Sequence, residues 1–298
     1  VHDNRDEIRA FLASRRAKIT PEQAGLAPGG RRRVPGLRRE EVAVLAGVST
    51  DWYTRLERGH ISGVSDDVLN AVARALQLDE AERAHLFDLA RAAGTGHRPR
   101  RPARKVRPGL QRMLDAMSDA PAIIRNGRMD ILAANHLGRA MYWPVYQSPR
   151  PATAQPPNIA RFQFLDPAGP DFFPDWETAA DITVALLRTE AGRDPFDKGL
   201  TDLIGGLCTR SADFRTRWAQ HNVRLHHSGA KTFHHPAVGD LTLDYESMDL
   251  QADPGLNLTV YTAAAGTPSH DALRLLASWA ATLADHPQDT GPSPIKRS

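Results

Sequence analysis

The chain has 298 residues and is 41% hydrophobic, enough for about two domains of roughly 100–200 residues each. No apolar run reaches the roughly 20 residues that a membrane span needs, and the opening residues Asp3, Arg5, Asp6 and Glu7 are charged where a secretory leader is apolar, so a cytoplasmic protein without a membrane partner is expected. The single cysteine, Cys208, excludes an internal disulfide and reads as a small buried hydrophobe. The net charge of +3 divides into 20 Lys+Arg against 14 Asp+Glu over residues 1–105 and 18 against 21 beyond, which suggests a nucleic-acid module joined to something else.

Residues 3–17 read as an amphipathic helix, with Ile8, Phe11 and Leu12 on one face at i, i+3 and i+4. Residues 18–36 break that pattern with Pro21, Gly25, Pro28, Gly29, Gly30, Pro35 and Gly36, leaving a loop with a short turn near Thr20–Gln23. From Arg39 to Gly59 two short helices follow in close succession. Val42, Leu45 and Ala46 form the apolar face of the first, and Gly47 stands where a tight turn needs positive φ. Ser49 is placed to cap the second by accepting from the Trp52 N–H. Tyr53 and Leu56 point back to the core, Gly59 ends the helix, and small Ala43 lets the two helices approach. A plain helical hairpin does not explain the polar face formed by Thr50, Asp51, Thr54 and Arg55.

The Ala43, Gly47 and Val48 spacing with the closing Glu57-Arg58-Gly59 resembles the helix-turn-helix of the XRE (lambda-repressor/Cro-like) family. In that family the second helix enters the major groove with its first residues at base edges. The resemblance therefore implies that Thr50, Asp51 and Arg55 read bases, with Ser49 and Thr54 beside them. Arg55 suits guanine O6 and N7, and Asp51 either accepts from cytosine N4 or, the favoured reading, orients Arg55. Arg39 replaces the usual glutamine at the start of the first motif helix and is assigned to phosphate. Helices Asp66–Leu76 and Asp79–Ala93, the latter with Asp79 as N-cap, complete a five-helix module over residues 1–94. The run from Arg31, Arg32 and Arg33 to Arg38 and Arg39 is commonly no more than a solvated face; beside this motif it reads as a phosphate clamp or minor-groove arm.

Residues 95–107, rich in Pro and Arg, read as a basic linker. In the second domain, 108–284, a helix begins at Leu110, Met113, Leu114 and Met117. Strands Pro121–Arg125 and Arg128–Ala134 flank a type I′ turn at Asn126-Gly127. Helix Asn135–Tyr142 has Asn135 as its cap, and an irregular Pro-rich stretch occupies 144–157. Helices Asp171–Glu190, Phe196–Cys208 and Ser211–His221 come next. Strand-like runs Val223–His235, Asp240–Leu250 and Leu256–Ala264 precede a closing helix, Ser269–Leu283, and a polar tail over 285–298. Two strands, several helices, three strands and a helix is the element order of a PAS-like sensor. The expected fold class is therefore α+β: an all-α five-helix lambda-repressor-like domain followed by a PAS-like domain with a five-stranded antiparallel sheet.

The stretches from Asp130 to Tyr142, Phe164 to Pro167, Asp175-Trp176-Glu177, Gly192 to Pro195, Phe214 with Trp218, His235-Pro236, Leu241-Thr242-Leu243 and Leu256 with Tyr261 resemble the MmyB-like regulators, as does the arginine-rich insertion. The resemblance covers about residues 5–284 and implies a small, apolar, fatty-acid-like effector. Helices from 135–221 are expected to cover one face of the sheet, with Phe164, Trp176, Leu186, Phe214 and Trp218 bordering a cavity and Asn135, Tyr142 and Tyr245 as polar handles. No cofactor is expected. The partners expected are double-stranded DNA with a palindromic operator and a second copy of the chain, because such readers bind two half-sites. The rival reading is a DNA-tethered, metal-dependent enzyme using His226, His227, His234 and His235 with Asp240 and Asp244. Adjacent strand residues face opposite ways, and no recognised metal motif is present, so the regulator reading is preferred.

Overall fold

The computed structural model describes residues 4–26, 34, 36–94, 105–149, 156–223 and 227–285. The first five helices are α1 (Asn4–Lys18), α2 (Arg39–Ala46), α3 (Thr50–Glu57), α4 (Asp66–Ala75) and α5 (Glu80–Ala93). After α6 (Pro108–Asp115) come strands β1 (Ala122–Asn126) and β2 (Ile131–Ala134). Short helices α7 (His136–Met141), α8 (Trp143–Gln147), α9 (Ile159–Leu165) and α10 (Gly169–Phe172) lead to the longer α11 (Trp176–Arg193), α12 (Lys198–Arg210) and α13 (Ala212–Trp218). Strands β3 (Ser228–His235), β4 (Gly239–Asp249) and β5 (Leu256–Thr262) and helix α14 (Pro268–Asp285) close the chain.

These elements form two compact units that do not follow chain order. One comprises residues 1–101 and 184–225, the other 102–183 and 226–298. Helix α11 contributes its first eight residues, Trp176 to Thr183, to the second unit and the rest to the first.

The first unit is helical. Ile8, Phe11 and Leu12 of α1, Val42 and Ala43 of α2, Tyr53 and Leu56 of α3, Leu69 and Val72 of α4 and Leu86 and Leu89 of α5 share one buried cluster, and Val223 joins it. Each of the Ile, Leu, Val and Phe side chains contributes roughly 1.5–3 kcal/mol on burial. The helix starts follow their capping chemistry: Asp79 accepts from Glu82 N–H while Glu82 returns a bond to Asp79 N–H, forming a capping box. Gly192 of α11 lies against His85 of α5, where an added Cβ would come within 2.5 Å of the imidazole Cε1, so only glycine permits this approach.

The second unit holds a five-stranded antiparallel sheet in the order β2-β1-β5-β4-β3, as expected. Leu110 and Leu114 of α6 cover one face through Ala122, Ile124, Leu256 and Leu258. The expected type I′ turn at Asn126-Gly127 is replaced: the left-handed residue is Met129 (φ 66°), whose N–H donates to the Asn126 carbonyl at 3.0 Å. Asn126 Oδ1 accepts from both Arg128 and Asp130 N–H at 3.0 Å, and this local side-chain bonding selects the longer turn. The single helix expected over Asp171–Glu190 is two, because the residue preceding Pro174 is driven out of helical conformation.

Candidate functional site

Two surfaces carry the chemistry. The first is the α2–α3 pair. Gly47 takes φ 67° at the turn, and Ser49 Oγ accepts from Trp52 N–H at 3.1 Å, capping α3 as its sequence predicts. Tyr53 and Leu56 are buried, while Thr50, Asp51 and Arg55 are exposed and Thr54 is half-buried. Arg55 also borders an open polar depression of about 490 Å³, together with Arg5, Gly59, His60, Ser62 and Phe196.

Glu57, at the end of α3, is buried and gathers two cations. Arg16 of α1 donates to it through Nε at 2.9 Å and Nη2 at 3.1 Å, and Arg39 of α2 through Nε at 3.1 Å and Nη2 at 2.9 Å. Burial alone would raise the Glu57 carboxyl, but the hydrogen bonds and charges of Arg16 and Arg39 hold it below its ordinary range. Helices α1, α2 and α3 are thus pinned at one carboxylate.

The second surface is the face of the sheet opposite α6. Register places Tyr245 beside Tyr261, Leu243 beside Lys231, Leu241 beside Phe233, and Arg125 beside Asn257. Tyr142 OH and Tyr261 OH share a hydrogen bond of 2.5 Å. Tyr142, Phe172, Phe173 and Phe233 pack around them, with ring centroids 4.9–6.3 Å apart. Beyond the rings the same face carries a polar stripe: Ser247 donates to Asn257 Oδ1 at 2.8 Å, Thr259 donates to Asn257 Oδ1 at 3.0 Å, and Asn257 donates to Asp249 at 3.1 Å. Arg125 is buried at one end of this face, and the Lys231 ammonium lies against its rings, 4.7 Å from the Phe173 centroid. A buried arginine and a half-buried lysine are thus set against this face.

Two family profiles match the chain. Residues 7–86 match the profile of a helix-turn-helix domain. Residues 106–276, more than half of the chain, match the profile described as the MmyB-like transcription regulator ligand binding domain. The chain belongs to the MmyB-like transcription regulators. A search of curated proteins returned no match. The regulator therefore joins a helix-turn-helix DNA-binding domain to a ligand-binding domain, and among its described residues no helix is long and apolar enough to cross a membrane.

Several expected site residues of the regulator lie elsewhere or serve other ends. Arg39, expected to serve phosphate, also pairs with Glu57, because a buried carboxylate requires close cations, and its side chain stays exposed. Arg38 precedes α2, its N–H donating to Glu41 at 2.6 Å and its Nη1 meeting Glu40 at 3.4 Å. Asp51 makes no hydrogen bond to Arg55, so it does not orient that side chain in the free protein. Arg31, Arg32 and Arg33 lie outside the described residues.

Asn135 is not available as a ligand handle. Its Oδ1 accepts from Ala122 N–H at 3.0 Å and Gly138 N–H at 2.7 Å, and its Nδ2 donates to Met117 O at 2.6 Å and Ala120 O at 2.7 Å. All its bonding capacity is spent on holding α7 to β1. Leu186, Phe214 and Trp218, expected to cover the sheet, belong to the first unit instead, where Phe214 and Trp218 stack at 5.7 Å and Arg188 lies 3.9 Å over Trp218. An amphipathic pattern shows that a helix face is buried, not which surface buries it. Phe164 and Trp176 remain in the second unit and pack edge to face at 5.7 Å. Tyr142 and Tyr245 do lie on the enclosed sheet face.

The histidines of the rival reading separate as strand geometry requires. His234 is exposed and pairs with Asp240 at 2.6 Å. His235 is buried, its Nε2 bonded to Ala140 O at 3.0 Å and its Nδ1 accepting from Ala237 N–H at 3.2 Å, so neither ring nitrogen is open to a metal. His226 lies outside the described residues. Among those described, no group of three or more metal-ligating side chains converges.

Sequence reasoning passed over Arg125 and Lys231 and gave Glu57 no part beyond the close of the motif. Each had a signal: a carboxylate on the apolar side of α3, an arginine inside the apolar run Ala122–Asn126, and a lysine two residues before Phe233 on the same strand face.

Proposed function

We propose that the protein is a sequence-specific operator-binding regulator that works as a homodimer on a palindromic site in the cytoplasm and responds to a small, apolar, fatty-acid-like effector. The observation that carries this reading is the capped, core-backed α3, which leaves Thr50, Asp51 and Arg55 exposed on one side. Arg55 serves as a base reader and Arg38 as a phosphate contact, while Arg39 trades between phosphate and Glu57. The effector acts by binding more tightly to one of two states of the regulator, and coupling of this kind is typically about 1–3 kcal/mol. It binds residues of 108–284 on the enclosed sheet face, where Tyr142, Tyr245 and the phenylalanine rings lie.

The test is Arg55→Ala, measured at fixed salt on an operator obtained by selection and on a scrambled duplex. Loss of about 1–3 kcal/mol on the operator alone, with relaxed choice at one base pair, is the expected result. Equal losses on both duplexes would remove Arg55 from base reading.

A further inference from the structure

Phe196 stands in the loop between α11 and α12, within the first unit, and is 57% exposed. The loop is held by its own hydrogen bonds. Asp197 Oδ1 accepts from Gly199 N–H at 2.9 Å and Leu200 N–H at 3.2 Å, capping α12, and Asp197 N–H donates to the Asp194 carbonyl at 3.2 Å. Leu200 and Ile204 of α12 are buried, so the loop is seated on a packed helix. An exposed phenylalanine alone carries no meaning, because folded proteins leave much apolar surface in water. What gives Phe196 meaning is the surface it adjoins.

Phe196 lines the polar depression of about 490 Å³ at the end of α3, together with Arg55, His60 and Ser62. Arg55 also belongs to the exposed side of α3 that carries Thr50 and Asp51, so the depression continues that side. The side chains of Arg55, His60 and Ser62 are exposed and make no hydrogen bond or ion pair among the described residues. Gly59 takes φ 94°, and the start of α1 closes upon it: an added Cβ would fall 2.7 Å from Arg5 Cβ and 2.8 Å from Arg5 Cα. A larger residue at the close of α3 would push α1 away and reshape the depression. No carboxylate is among the described residues that line it, so an anion entering meets no like charge on its walls.

We propose that the α11–α12 loop is part of the DNA interface. The sugar–phosphate backbone next to the bases read by α3 lies in this depression. A phosphate accepts from the Ser62 hydroxyl and a His60 ring N–H, and the Phe196 ring lies against the adjoining deoxyribose. This rests on the operator-binding reading and adds to it a contact from a segment far outside residues 7–86, the helix-turn-helix match. A sugar–phosphate contact positions the duplex and carries no base information, which leaves sequence choice to Arg55. An apolar ring displaces no counterions, so its share of the binding does not depend on salt.

The experiment titrates the full-length wild type, Phe196→Ala and Phe196→Tyr with the selected operator and with a scrambled duplex at several salt concentrations, and thermal unfolding checks that each chain is folded. The expected result for Phe196→Ala is about tenfold weaker binding to both duplexes, the scale of one buried apolar side chain, with the salt slope unchanged and near wild-type binding by Phe196→Tyr. In a second measurement p-benzoylphenylalanine replaces Phe196, and irradiation is expected to cross-link the chain to labelled operator. Wild-type binding by Phe196→Ala, or no cross-link from a chain that still binds operator, overturns the inference and leaves operator binding standing. A loss confined to the operator overturns the backbone placement. A folded wild type that binds neither duplex overturns this inference and the operator-binding reading together.

Discussion

Arg188 of α11 is bonded to Glu7 of α1: its Nη1 donates to Glu7 Oε1 while its guanidinium carbon lies 3.9 Å from the Trp218 ring centroid and its Nη2 donates to the Trp218 carbonyl. His221 Nδ1 stands 3.5 Å and His85 Nε2 3.8 Å from the same carboxylate oxygen. A segment more than 180 residues downstream in the chain is thereby built into the unit that carries the helix-turn-helix.

Removing one partner of this buried pair leaves the other charge uncompensated. Arg188→Met is expected to destabilise the first unit by about 3–5 kcal/mol, and adding Glu7→Leu to restore part of it. Urea unfolding followed by Trp218 fluorescence reads both. Burial alone would raise the Glu7 carboxyl, but His221, His85 and Arg188 hold it well below its usual value. A depressed carboxylate contributes stability above its unfolded pKa, so that contribution is lost as pH falls below about 4.5. A pair that is neutral to mutation, with no acid dependence, would contradict this account.

The second unit responds to acid at a higher pH. His235 must stay neutral because its Nδ1 already accepts from Ala237 N–H. Burial lowers its pKa to about 4, with the bond to Ala140 opposing and His234 assisting. The folded value is below the unfolded one, near 6.5, so stability is complete above about 6.5 and declines as pH drops toward 4, by up to about 3 kcal/mol. Trp279, whose ring is 5.4 Å from His235, reports the transition by fluorescence. His235→Gln is expected to flatten the decline; an unchanged slope would assign it to other groups.

Asn135 separates structural from ligand-binding roles. Asn135→Ala strands two N–H donors and two carbonyls at the β1–α7 junction and is expected to cost about 3 kcal/mol. The melting temperature falls, while decanoate affinity of the folded protein at low temperature stays within about twofold, in line with a side chain fully used inside the protein. A selective loss of affinity without loss of stability would return Asn135 to the ligand.

The arginine run is proposed to act through phosphate charge. Replacing Arg31, Arg32 and Arg33 with Ala is expected to weaken binding to operator and scrambled duplex alike and to reduce the salt slope by nearly one unit per lost contact. Duplex titrations at several salt concentrations measure the slope, and an unaltered value would make these arginines a solvated surface.

The local features of the regulator were legible in its amino-acid order because they depend on neighbours in the chain. The Gly47 turn, the Ser49 and Asp79 caps and the apolar stripes of α1 and α4 each arise from interactions spanning only a few residues. Partnership between distant segments was not legible. The apolar stripes predicted burial for Phe214 and Trp218, while Leu186 is only half-buried, and periodicity carries no label for the opposing surface. What decided it was tertiary: Arg188 requires an anion, Glu7 supplies one, and Gly192 alone permits contact with His85. The same holds for Arg39, whose charge suits phosphate in sequence and is drawn to Glu57 once α1, α2 and α3 meet. Short-range hydrogen bonds and side-chain period are properties of the chain, whereas the choice among possible partners for a charge or an apolar face depends on which groups folding leaves dry together.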